Sequence, residues 1–146
     1  MLSSLYNIQA GQTMDVATQE DLIKIKDSIL KELNDVKAIY LFGSVAKGTQ
    51  NENSDYDVLV FVDKYPKNKI KSVIKVRNDV SDHISKPLEL FILEMEDLNY
   101  PSPFLYEVYN NHRLIYGTND VIKRCRDIIK NIKPLFMDGI KIGYHV

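Results

Sequence analysis

Asp55 and Asp57 stand two residues apart, between Ser54 and an apolar run from Val58 to Val62. In a strand, residues i and i+2 point to one face, so this spacing sets two carboxylates side by side where a strand begins. Carboxylates held that close repel each other unless a cation lies between them. Upstream, Ala38 to Phe42 form a second apolar run that ends in Gly43-Ser44. Gly43 permits a tight turn, and Ser44 is a good N-cap for a helix whose unpaired N–H groups could receive a phosphate. Taken in order, these residues describe a site for a magnesium nucleotide.

Other Asp-x-Asp chemistries are separated by what flanks the pair. In phosphatases of the haloacid-dehalogenase type and in many sugar-nucleotide transferases, the pair follows an apolar strand. Here Asn51-Glu52-Asn53-Ser54 precede it and the apolar residues follow, which argues against both. An EF-hand loop counted from Asp55 would need Gly at its sixth position and Glu at its twelfth, where this chain has Val60 and Pro66. A P-loop needs Gly-Lys-Ser/Thr at the start of a helix, and none stands there.

The ordered pattern Phe42-Gly43-Ser44, Ala46-Lys47-Gly48 and Ser54-Asp55-Tyr56-Asp57-Val58 resembles the nucleotidyltransferase superfamily that includes DNA polymerase β. It is most similar to the small stand-alone members, the minimal nucleotidyltransferases, and the similarity spans about residues 18 to 117. Lys47 stands where that family usually has Arg, which keeps the positive charge and loses the planar fork. The resemblance implies an α/β (α+β) nucleotidyltransferase fold, a single domain with a central mixed sheet flanked by helices. It also implies a third acidic residue on a later strand. Glu89 is the candidate, because it lies in Pro87-Leu88-Glu89-Leu90-Phe91-Ile92-Leu93, where an unpaired buried carboxylate would be costly. Asp is commoner there.

By the same resemblance, Asp55, Asp57 and Glu89 are the expected catalytic and metal-binding residues, holding one or two Mg2+ ions. Gly43, Ser44, Lys47 and Ser54 are the expected nucleotide contacts, with ATP or another NTP as substrate. The implied reaction is transfer of a nucleoside monophosphate, AMP foremost, to an acceptor. Some relatives are antitoxins that modify a tyrosine of a small helical ribonuclease toxin of the HEPN type, so a separately encoded helical partner is an expectation. The alternative is a non-catalytic nucleotide- or partner-binding protein that keeps the fold.

The elements that must position these residues follow from periodicity. Leu22, Ile25, Ile29 and Leu33 recur at helical spacing, predicting a helix over about 18–34. The runs at 38–42 and 58–62 read as strands buried on both faces. Ile70, Val73, Ile74, Val80 and Ile84 predict a helix closing near Ser85, and Pro87 to Leu93 a third strand. Pro101 and Pro103 mark a helix start before Phe104, Leu105 and Val108. Glu94, Glu96 and Asp97 read as the solvated mouth of that helix. Leu114 to Gly117 form a short strand, and Val121, Ile122, Cys125, Ile128, Ile129 and Ile132 an apolar stripe stopped at Pro134. Residues 1–16 read as a loosely docked leader, 17–146 as the domain, 38–93 as its motif core and 118–146 as a C-terminal helix and ambiguous tail.

The 146 residues carry a net charge of −1, so the overall field recruits neither nucleic acid nor an anionic membrane. No apolar run approaches the roughly 20 residues needed to span a bilayer. The single Cys125 forms no internal disulfide, and the N-terminus lacks the order of a signal peptide, so a cytoplasmic location is expected. Residues 121–146 hold six Lys or Arg against two Asp, which reads as a solvated helix face, with a binding patch for a polynucleotide or acidic partner as the alternative. His83, His112 and His145 lack metal-ligand spacing, and the nine tyrosines read as core or rim aromatics.

Overall fold

The two apolar runs that bracket the Gly-Ser and Asp-x-Asp motifs lie next to each other in the sheet. The computed structural model describes residues 14–130, 132–137 and 139–145. β1 (Val36–Phe42) runs antiparallel to β2 (Tyr56–Val62), and β2 runs parallel to β3 (Leu88–Glu94). β4 (Arg113–Gly117) lies antiparallel on the other side of β1, giving the order β3-β2-β1-β4. A parallel neighbour requires a crossover, here α3 (Lys69–Val80).

β1 and β2 are the inner strands, which is why both are apolar on both faces. On one face, α1 (Val16–Glu32) and α3 bring Leu22, Ile25, Ile29, Val76 and Val80 against Ile39, Leu41, Tyr56, Val58 and Val60. On the other, α4 (Pro103–Asn110) and α5 (Asp120–Ile129) bring Leu105, Val108, Ile122 and Cys125 against Ala38, Tyr40, Leu59 and Phe61. Burial pushes the Cys125 thiol up to about 12, so it packs as a neutral group. The result is a single mixed α/β domain.

Side-chain caps fix where the helices start. Asp15 accepts from the Thr18 N–H at 2.7 Å, so α1 begins at Val16, two residues ahead of the expected Thr18. Residues 1–13 of the expected leader lie outside the described residues, while Met14 packs against the core and belongs to the domain. Asn68 caps α3, and Ser102 caps α4 ahead of Pro103. The acidic residues after β3 do not open α4. Glu94 and Asp97 cap each other across a 3-10 turn, Met95–Asn99.

The C-terminal reading also changes. α5 ends at Ile129, and Pro134 lies inside β5 (Lys133–Met137), which pairs antiparallel with β6 (Ile140–His145). A two-stranded ladder leaves one edge of each strand without a partner, so a proline near a strand end costs little there. Lys123, Arg124 and Arg126 sit on the exposed face of α5, as expected. Lys141 instead donates to Glu107 of α4. His112 Nδ1 lies 2.6 Å from the Tyr109 carbonyl, His83 is exposed, and the His145 side chain lies outside the described residues. Among the described residues, no helix is long and apolar enough to cross a membrane.

Candidate active site

Register brings the motifs together. Phe42 pairs with Asp57 across β1 and β2, and Asp57 pairs with Glu89 across β2 and β3. Tyr56, Val58, Leu88 and Leu90 all point into the α1/α3 core. By alternation Asp57 and Glu89 therefore point to the opposite face. Asp55, half-buried, immediately precedes β2 on the same side.

Gly43 opens α2 (Gly43–Lys47) with φ +75°, a conformation that favours glycine. A Cβ there would lie 2.1 Å from the Asp57 Oδ2. The absence of a side chain is thus what allows the turn and the carboxylate to meet. Ser44 is not the N-cap expected of it: Phe42 holds that position with extended backbone, and Ser44 lies within the helix. Its hydroxyl donates to Ser54 Oγ at 3.0 Å, and Ser54 Oγ also accepts the Asn51 N–H at 2.9 Å. These two serines therefore tie α2 to the loop that delivers Asp55. The Asn51 carbonyl accepts from Lys86 Nζ at 3.0 Å, fastening that loop to the start of β3 as well.

Asp57 is held above the ordinary carboxylate value, first by partial burial, then by the charges of Asp55 and Glu89. Three carboxylates on adjoining segments, Asp55 and Glu89 each raising the cost of ionising Asp57, form a hard-oxygen donor set that suits a divalent cation such as magnesium. Among the described residues no three acidic, His or Cys side chains yet close around a common point. The chemistry of the donors fits a divalent cation.

Glu89 requires a correction. It is exposed, so the cost of a buried carboxylate does not single it out. β3 is an edge strand and Glu89 stands near its start, on the same face as Phe91 and α4. Its place opposite Asp57 comes from strand register. Lys47 is exposed at the end of α2, on the side of Glu107. The Glu107 carboxyl is lowered first by hydrogen bonds from Lys141 and Tyr144, and more weakly by the Lys47 charge.

Two further features escape sequence reasoning. Phe42, Phe91 and Phe104 form an aromatic cluster with ring centroids 5.2 to 5.6 Å apart, beside the carboxylates. The Glu89-x-Phe91 spacing was a signal that these two share a face, but nothing brought Phe104 to them. Arg113, buried in β4 opposite Leu41, donates through Nε to the Ala46 carbonyl at 3.1 Å and supports α2 from behind. In sequence it reads only as a charge at a strand boundary.

A glycine turn pressed on paired carboxylates, at the ends of the two inner strands of this mixed sheet, defines the nucleotidyltransferase class. Residues 23–121 match the family model described as polymerase beta, nucleotidyltransferase, and the chain belongs to that family. It is a nucleotidyltransferase. A relative in Methanocaldococcus jannaschii, named provisionally as a protein adenylyltransferase, is 32% identical over 117 residues, covering 74% of this chain and 80% of the relative. Among solved structures, a toxin–antitoxin complex with AMP-PNP matches with TM-score 0.60 at 22% identity, over 75% of this chain and 84% of that one. An MNT antitoxin complexed with a tri-AMPylated HEPN toxin from Shewanella oneidensis matches with TM-score 0.56 at 18% identity, over 77% and 83%. At these identities the structural matches establish the fold.

Proposed function

We propose that the protein transfers AMP from ATP, with magnesium, to a hydroxyl of a separately encoded protein, and that this partner is a HEPN-type toxin which the modification silences. The observation that carries the reading is the row Gly43–Asp57–Glu89, in which a side-chain-free turn abuts one carboxylate and register supplies the next. The structural likeness to toxin–antitoxin complexes supports the choice of partner, and the name of the M. jannaschii relative supports AMP as the group moved.

Asp55 and Asp57 would hold the ion, with Glu89 completing the set. Bound there, magnesium would neutralise charge on the phosphates and stabilise the attacking and leaving oxygens. Gly43 and the first turn of α2 receive the phosphates, Ser44 and Ser54 keep that turn against the Asp55 loop, and Lys47 adds a positive charge. Glu89 orients the acceptor hydroxyl and takes its proton as the oxygen bonds to the α-phosphorus. The bond from that phosphorus to the bridging oxygen breaks, and pyrophosphate leaves. Positioning accounts for much of the acceleration.

The test is mass spectrometry of a co-purified or neighbouring-gene protein, after incubation with this protein, ATP and Mg2+. One or more added AMP groups are expected, with none from Asp57→Asn. A partner silenced equally by wild type and Asp57→Asn, with no mass change, would point to inhibition by contact alone.

A further inference from the structure

Beside the Phe91–Phe104 ring pair lies an apolar groove of about 520 Å³. Its lining comes from both faces of the sheet: Ile70, Val73 and Ile74 of α3 on one side, Phe91 and Leu93 of β3 with Phe104 of α4 on the other. A groove lined from both faces lies over the free edge of the strand between them. Among the described residues, only β2 pairs with β3, so the outer edge of this seven-residue strand presents unpaired backbone groups. Ile70 and Ile74 are 72% and 48% exposed, a large apolar surface for one helix turn to leave in water. At its inner end the groove is walled by Phe91 and Phe104, which touch Phe42; Glu89 is two residues before Phe91 on the same face of β3.

Taking the acceptor to be a polypeptide, as proposed above, we propose that this groove is its docking track: an extended segment of the acceptor protein adds to the edge of β3 and thereby delivers its hydroxyl to Glu89 and Asp57. Strand addition takes its affinity from main-chain hydrogen bonds and its selectivity from pockets for alternate side chains. Alternate residues of the segment would enter the apolar lining. The lining also holds two cations, Lys69 and Arg77, and no anion. Lys69 sits 4.3 Å above the Tyr65 ring. The two cations stand eight positions apart, about 12 Å along α3, which is about four residues of strand. The fitting segment therefore carries acidic residues about four apart beside its apolar positions. A second copy of this chain fits less well, because two such grooves set edge to edge would bring like charge to like charge.

The test uses the whole protein on a synthetic peptide array in which every peptide carries one Tyr, Ser or Thr. Binding is read first with labelled protein, then AMP transfer with labelled ATP and Mg2+. Wild type should bind and label peptides with period-two apolar positions and acidic neighbours. The double variant Ile70→Glu/Ile74→Glu changes only exposed side chains; it should keep its melting temperature and lose at least tenfold in both readouts. Asp57→Asn should bind the same peptides and label none. Binding without sequence preference, or unaffected by the double variant, overturns the track. So does tighter binding of the same sequences when locked as helices, or a wild-type dimer that the double variant dissociates. Groove-dependent binding without labelling of the bound hydroxyl overturns the delivery role. In that case, pyrophosphate release on another acceptor would leave the nucleotidyltransferase reading intact, and its absence with every acceptor would remove that reading separately.

Discussion

Asp21 and Asp57 are both carboxylates against the same strand, on opposite sides of it, and their surroundings drive them in opposite directions. Asp21 is 6% exposed, yet its Oδ2 accepts from the Tyr56 hydroxyl at 2.6 Å and from the Ser85 N–H and hydroxyl at 3.0 and 2.7 Å. Burial raises it, but the hydrogen bonds from Ser85 and Tyr56 outweigh burial and hold it below the ordinary range. Asp57, one residue along from Tyr56, faces Asp55 and Glu89 instead, and its value is raised. Tyr56 shows the other half of the bargain: burial, then its bond to Asp21, pushes it up to about 12, so it stays a donor. A carboxylate surrounded by donors is held in its charged form; one that faces other carboxylates is left wanting positive charge.

That contrast can be broken at its functional end first. Asp57→Asn should lower nucleotidyl transfer by on the order of 10³-fold, the scale of losing one preorganised electrostatic contact, as measured by pyrophosphate release. Asp21→Asn should leave turnover per folded molecule near wild type. Gly43→Ala tests whether the two motifs must touch. The new Cβ meets the Asp57 carboxylate and the left-handed backbone costs about 1–2 kcal/mol; displacing Asp57 should reduce kcat by on the order of 10²-fold.

At the structural end, Asp21→Ala leaves Tyr56 and Ser85 without their acceptor, and urea unfolding should show a loss of about 1–3 kcal/mol. The pH dependences should have opposite signs. The stability Asp21 contributes is present above the unfolded carboxylate value and lost as pH falls through its lowered folded value. The ionised Asp57 opposes folding, so metal-free protein should lose stability as pH rises from the unfolded value to the raised folded one. Thermal melts of metal-free Asp57→Asn should lack that decline and lie a few degrees above wild type at neutral pH, with Mg2+ reversing the order. Equal pH profiles for the two proteins would erase the contrast. The smallest effect belongs to Lys47: exposed, it should change KM for ATP by about fivefold when replaced by Ala, and Lys47→Arg should restore it.

Much of the site was legible because its parts are local. The Gly43-Ser44 turn, the Asp-x-Asp spacing and the apolar run behind it are each fixed within a few residues, and their order carried the family. Legibility failed where a role depends on a partner far along the chain. Ser44 reads as a cap in sequence, since nothing nearby reveals that Ser54 takes its hydroxyl. Pro134 reads as a stop, although a strand with one free edge tolerates a proline near its end. Glu89 was chosen for burial and holds its place through register instead.

The sequence by itself determined the strands, the helices and the chemistry of the carboxylate pair, because periodicity and short-range spacing set which faces are apolar and which residues sit side by side. Only the tertiary structure decided that Gly43 presses on Asp57, that Glu89 stands opposite it, and that Phe42, Phe91 and Phe104 meet beside them. Those are consequences of how strands far apart in the chain align, and a register shift of one residue would turn Glu89 to the other face.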